Sequence, residues 1–195
     1  MLGLKLPTDP RWANLAQHSL ESILTDHAYC EQKAASTCIS IIQNWPDKER
    51  LVEELSPIVT EEWGHFRLVL DQLKKRGLSL GKQRIDFYVR DLMAWSKRTK
   101  GNSVNDHLLD TLLLSAMIEA RSCERFKLLS EQLEDKELKE FYKKLMISEA
   151  GHYTLFISLA KEYVPHNQVD KRWAEWLHFE AELIQRMKVR GDRIH

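Results

Sequence analysis

The chain has 195 residues, 43% hydrophobic and 30% charged, which suffices for one domain with a sizeable core; only 7 Gly and 5 Pro leave little for loops. A formal net charge of zero makes global charge uninformative about nucleic acid, and no apolar run approaches the length of a membrane span. The 3 cysteines, an odd number without a CxxC pair, suggest neither a disulfide framework nor a zinc knuckle. Cys30 and Cys38 fall in a helix of small residues and read as buried thiols. The opening residues MLGLKLPTDPRW lack the basic flank and apolar stretch of a signal peptide, so the expected location is cytoplasmic.

In chain order, Thr8-Asp9-Pro10 reads as a cap followed by proline in a first helical turn. The helix it opens is expected to run to Asn44, where Trp45-Pro46 stops it. A second helical region covers Asp47 to Arg76 and ends at Gly77. Within it Pro57 marks either a kink or, with Ser56 as cap, a fresh start. Leu78–Gly101 holds a shorter helix around Phe87–Lys97. Long helices then cover Val104–Leu133 and Glu137–Tyr163, separated at Glu134-Asp135-Lys136 by a turn or bend. A last helix is expected over Val169–Val189. Strand periodicity is missing, so the fold class is all-α. The pattern is a four-helix bundle of the ferritin-like kind, with a long crossover, an extra C-terminal helix and one domain over residues 1–195.

Two copies of Glu-x-Gly-His-aromatic stand out, Glu62-Trp63-Gly64-His65-Phe66 and Glu149-Ala150-Gly151-His152-Tyr153. Each has an isolated glutamate one hairpin upstream, Glu31 and Glu119, at separations of 31 and 30 residues. Four Glu and two His in this arrangement match the ligand set of a carboxylate-bridged di-metal centre. Glu-x-x-His alone is weak, since composition should yield about one match by chance. The chain contains a third in Glu175-Trp176-Leu177-His178.

Neighbours at helical spacing separate ligand from coincidence. Glu31 is flanked by Leu24, His27, Ala28, Ala34, Ala35 and Cys38, and Glu62 by Leu55, Ile58, Val59, His65, Phe66 and Val69, with no acid, lysine or arginine in either set. Around Glu119 stand Leu112, Ala116, Cys123 and Phe126, and around Glu149 Tyr142, Leu145, Met146 and Phe156. By contrast, Lys171, Arg172 and Glu182 surround Glu175, and Arg121, Lys127 and Glu131 surround Glu124; both are set aside. Converging buried carboxylates need cations, and oxygen donors with one imidazole per ion suit iron or manganese. Glu61 is positioned either to orient a histidine or to face solvent. Gly64 and Gly151 signal close helix approach or open space beside the metals.

Residues 74–100 carry nine cations against Asp86 and Asp91, with Phe87, Tyr88 and Trp95 interleaved. Arg186, Lys188, Arg190 and Arg193 follow near the C-terminal end. Lys82, Arg84, Arg90, Lys97, Arg98 and Lys100 are the candidate RNA contacts, the alternative being a solvated helix whose aromatics pack inward.

The segments CEQKAAS (30–36), EEWGHF (61–66), EARSCERF (119–126) and SEAGHY (148–153) resemble the MiaE-type tRNA hydroxylases over nearly the whole chain. That resemblance implies a ferritin-like non-haem di-iron monooxygenase with Glu31, Glu62, His65, Glu119, Glu149 and His152 as metal ligands. It implies a two-iron cofactor, dioxygen as co-substrate, and hydroxylation of the isopentenyl group of methylthio-isopentenyl adenosine beside the anticodon. It also implies a tRNA substrate and two electrons from a separate ferredoxin or flavin reductase. It names no membrane partner and leaves monomer and dimer open. The rival readings are a ferritin-like ferroxidase, which has no use for the basic crossover, and a rubrerythrin-like peroxidase, which commonly carries a CxxC domain. A non-enzymatic RNA-binding module leaves the matched glutamates unexplained.

Overall fold

The computed structural model describes residues 2–195. Among these all regular structure is helical: α1 (Arg11–His18), α2 (Leu20–Asn44), α3 (Glu49–Lys75), α4 (Phe87–Thr99), α5 (Val104–Gln132), α6 (Lys136–Tyr163) and α7 (His166–Arg186). Side-chain caps set three of the starts. Asp86 accepts from the Val89 amide at α4, and Ser103 with Asp106 forms a capping box at α5. Asp135 accepts from the Glu137 and Leu138 amides at α6, directly after the expected bend, which falls at Glu134.

Two boundaries differ from expectation. The helix foreseen from Pro10 to Asn44 is divided at Ser19, whose φ of −121° and ψ of 36° lie outside the helical region. No proline or glycine marks that break. Residues 190–194 press on the chain just before it: a Cβ on Gly191 would stand 2.1 Å from the Leu15 carbonyl carbon, and the Trp12 indole donates to the Arg193 carbonyl at 3.2 Å. Of the two alternatives for Pro57 the fresh start at Ser56 is ruled out, because α3 runs through it from Glu49 to Lys75. The last helix is shifted, starting directly after Pro165 and ending at Arg186.

The described residues group into two compact units. One comprises Trp12–Ile85 and Arg190–Ile194, and its centre is the α2/α3 hairpin. Leu24, Ala28, Ala35 and Cys38 form a buried stripe on α2, and Leu51, Leu55, Ile58, Phe66 and Val69 form one on α3. The short connection between Asn44 and Glu49 makes these neighbours antiparallel. Asp26 and Arg84 tie the unit together, because Ile194 donates its amide to Asp26 at 2.8 Å and Arg84 pairs with Asp192 at 3.0 Å.

The other unit contains residues 2–11, Asp86–Val189 and His195. It is built on the α5/α6 hairpin, with α4 and α7 packed alongside. Helix α5 is buried on nearly every side, from Leu108 and Leu109 through Leu112, Leu113, Ala116 and Met117 to Phe126. Tyr142, Leu145, Phe156 and Leu159 line α6, and Val169, Trp176 and Leu183 line α7.

Candidate metal centre

In each unit the apolar stripes carry acids at their middle. On α2, Glu31 sits between Ala28 and Ala35, and on α3, Glu62 and His65 sit between Ile58 and Val69; all three are buried. Their ligand atoms lie within 4.8 Å of one another. His65 Nδ1 is 3.5 Å from Glu31 Oε2 and 3.5 Å from Glu62 Oε2, so one imidazole nitrogen addresses both carboxylates. Its other nitrogen is 3.9 Å from Glu61, a half-exposed residue in the position to orient the ring.

The α5/α6 unit repeats the arrangement. Glu119 on α5 and Glu149 with His152 on α6 are buried, and their ligand atoms also lie within 4.8 Å of one another. His152 Nδ1 is 3.2 Å from Glu149 Oε2. Glu and His at i and i+3 face the same side of a helix, so the pair reaches one point in space. In both units, then, a lone Glu on the first helix of a hairpin meets a Glu-x-x-His pair on the second.

The donor chemistry fits iron. Each triad offers carboxylate oxygens and one imidazole, a hard oxygen-rich set with a borderline nitrogen. Protein cations are engaged elsewhere: Arg121 bonds Glu180 at 2.6 Å and Glu124 at 3.0 Å, and Arg193 pairs with Asp192 at 3.3 Å. Burying several carboxylates in an apolar setting is expensive without compensating charge, which metal ions would provide.

Sequence reading missed a partner on α2. His27 is fully buried, and its Nε2 is 2.6 Å from Glu31 Oε1. The signal was present in the i, i+4 spacing on the apolar face. The thiols of Cys38 and Cys123 are buried and held in the protonated form. Burial pushes Cys38 up to about 12, helped by the Glu62 charge, and burial pushes Cys123 up to about 12, helped by Glu149 and Glu124. Cys30, expected to be buried, is only half-buried.

The third Glu-x-x-His match is a surface feature. Glu175 is exposed and pairs with Arg172 at 2.7 Å, and His178 pairs with Glu182 at 3.2 Å. Glu124, set aside for its charged neighbours, is buried all the same, because Arg121 and the Thr8 amide hold its carboxylate. The two motif glycines do not mediate close packing: a Cβ at Gly64 or Gly151 would meet nothing within 4 Å.

The cations of residues 74–100 fall into different environments. Lys82, Arg90, Lys97 and Arg98 are exposed and Lys100 is half-exposed. Arg84 is half-buried; besides Asp192 it bonds the carbonyls of Ser22 at 2.9 Å and Asp192 at 2.6 Å. Arg190 likewise pairs with Asp192 at 2.9 Å. Tyr88 is buried and Trp95 stacks on Phe179 at 4.8 Å, which leaves Phe87 as the exposed aromatic of the three. No helix among the described residues is long and apolar enough to cross a membrane.

Two curated relatives are named tRNA 2-(methylsulfanyl)-N(6)-isopentenyladenosine(37) hydroxylase. The one from Pseudomonas putida is 39% identical over 82% of this chain and 76% of its own length. The one from Salmonella typhimurium is 29% identical over 93% of this chain and 83% of its own. A solved structure described as Protein 43 with aldehyde deformylating oxygenase activity, from Synechococcus, superimposes with a TM-score of 0.90 at 32% identity, covering 98% of this chain and 94% of that one. The fold is thus the all-α, ferritin-like one expected from the sequence. The profile of the family described as tRNA-(MS[2]IO[6]A)-hydroxylase (MiaE) matches residues 2–195, and the chain belongs to that family.

Proposed function

We propose that this protein is a tRNA-modifying hydroxylase that inserts one oxygen atom into the isopentenyl side chain of methylthio-isopentenyl adenosine beside the anticodon. The reaction would take place at a non-haem di-iron centre held by Glu31, Glu62 and His65 together with Glu119, Glu149 and His152. The observation that carries the reading is the duplicated buried triad, one lone Glu and one Glu-x-x-His pair in each unit. The proposal also takes residues 1–195 as one functional domain. The family and the names of the curated relatives support the substrate.

Iron, when bound, supplies the dioxygen and one-electron chemistry that amino-acid side chains lack. Overall, a C–H bond and dioxygen, with two electrons and two protons, yield an alcohol and water. The electrons come from a separate donor, a ferredoxin or a flavin reductase.

The protein's own groups bind and orient. The four glutamates and two histidines supply charge and geometry. His27 fixes the rotamer of Glu31 through its 2.6 Å contact. Glu61 lies 3.9 Å from His65 Nε2, longer than a direct hydrogen bond, and places negative charge on the outer side of that ring. The surrounding Leu55, Ile58, Leu112, Ala116 and Phe156 are buried and keep water from the acids.

Iron per chain after anaerobic ferrous loading and desalting tests the reading. About two irons are expected in the wild type, with loss in Glu119→Ala and retention in Glu175→Ala. A one-oxygen mass gain on modified tRNA should follow the same pattern. Equal iron in the two variants would remove the ligand assignment.

A further inference from the structure

We infer that the outer face of α4, formed by Phe87, Arg90, Met93, Lys97 and Arg98, is the surface on which the protein grips an RNA strand; this rests on the tRNA reading above. At 100° per residue these five side chains share one side of the helix, and the buried Tyr88, Leu92 and Ser96 occupy the other. The face is open: Phe87 is 43% exposed and Met93 44%. Lys97 and Arg98 make no ion pair among the described residues.

Its chemistry suits a single-stranded or looped polyanion. Arg90 and Lys97 lie two turns apart, about 10 Å along the axis, and Arg98 flanks them. Of the two acids nearby, Asp86 is turned to the Val89 amide as the helix cap. Asp91 pairs with Arg90 at 2.7 Å in a half-exposed contact that a phosphate can displace. The Arg90 guanidinium stands 4.7 Å from the Phe87 ring centroid, so charge and an exposed aromatic plane form one element. An unpaired base stacks on such a plane while the cations hold its backbone. Arg84 lies outside this surface, because Asp192 and two carbonyls occupy its guanidinium.

The test uses the full chain and a labelled RNA hairpin with an anticodon stem–loop sequence, binding being followed by anisotropy over a salt series. Arg90→Glu/Lys97→Glu/Arg98→Glu alters exposed side chains only and should keep wild-type helicity, melting and iron content. It should bind at least about tenfold more weakly, and its log–log salt slope should fall by roughly two to three. Phe87→Ala should bind about tenfold more weakly with the slope unchanged, and Phe87→Trp should restore affinity. Wild-type affinity and slope in the triple variant would overturn the proposal. So would unchanged RNA binding with impaired reduction by the electron donor, which would assign the face to a protein partner. Mass analysis of the treated tRNA separates this inference from the parent reading. If the hairpin binds through α4 but the tRNA gains no oxygen, the surface stands and the hydroxylase reading falls. If the tRNA gains oxygen while the triple variant binds normally, the reverse holds.

Discussion

His27 Nε2 and Glu31 Oε1 are 2.6 Å apart across one turn of α2, and both side chains are buried. A histidine in this position holds a carboxylate in one rotamer and sets where its second oxygen points, here toward His65 at 3.5 Å. Outer groups of this kind typically govern metal affinity by about 10- to 100-fold. His27→Ala should therefore weaken ferrous binding by about that factor in a chelator competition, with His27→Gln intermediate because its amide still donates. Wild-type affinity in His27→Ala would show that Glu31 needs no such support.

Arg121 is the hub of a second buried polar cluster. Its Nε and one terminal nitrogen bond Glu180 at 2.9 and 2.6 Å, its other nitrogen bonds Glu124 at 3.0 Å, and it also reaches the Leu6 carbonyl at 3.1 Å. Tyr88 donates to Glu180 at 3.2 Å, and burial, with the Glu180 charge, holds its hydroxyl well above the usual range. Burial also depresses the neighbouring Arg125 to about 10. Removing one partner strands the others, at a cost of about 3–5 kcal/mol. Arg121→Met should lower the thermal midpoint strongly, and Arg121→Met/Glu180→Gln should recover part of the loss, as read by circular dichroism. Equal midpoints for Arg121→Met and the wild type would mean the cluster is energetically idle.

Three glycines make opposite predictions. Gly64 and Gly151 lie within helices with nothing within 4 Å of a built Cβ, so alanine should stabilise each helix by up to about 1 kcal/mol. Gly191 lies against the backbone of Leu15 and Ala16, where a Cβ would approach to 2.1 Å, so Gly191→Ala should destabilise. Urea denaturation of the single variants distinguishes the two cases. A stabilised Gly151→Ala with reduced hydroxylation would identify the space above the glycine as functional.

Much of this protein was legible before any coordinates. Apolar residues at spacings of three, four and seven placed Glu31, Glu62, Glu119 and Glu149 on buried faces, and the structure buries all four. The same reasoning placed Glu175 on the surface, where it lies. Charged neighbours along the chain do not by themselves put a side chain on the surface: Glu124 is buried, and Arg121 is fully buried because Glu180, 59 residues away, balances its charge.

The helices, their hairpin pairing and the two Glu plus Glu-x-x-His sets follow from local pattern, because each is written in a period repeated along one face. Long-range contacts are what separate α1 from α2 at Ser19, join Arg84 to Asp192 across 108 residues, and leave Phe87 rather than Tyr88 or Trp95 facing outward. Those outcomes depend on which distant groups meet. Helical periodicity says which side of a helix is buried, but not which charge or backbone segment will arrive to cover it.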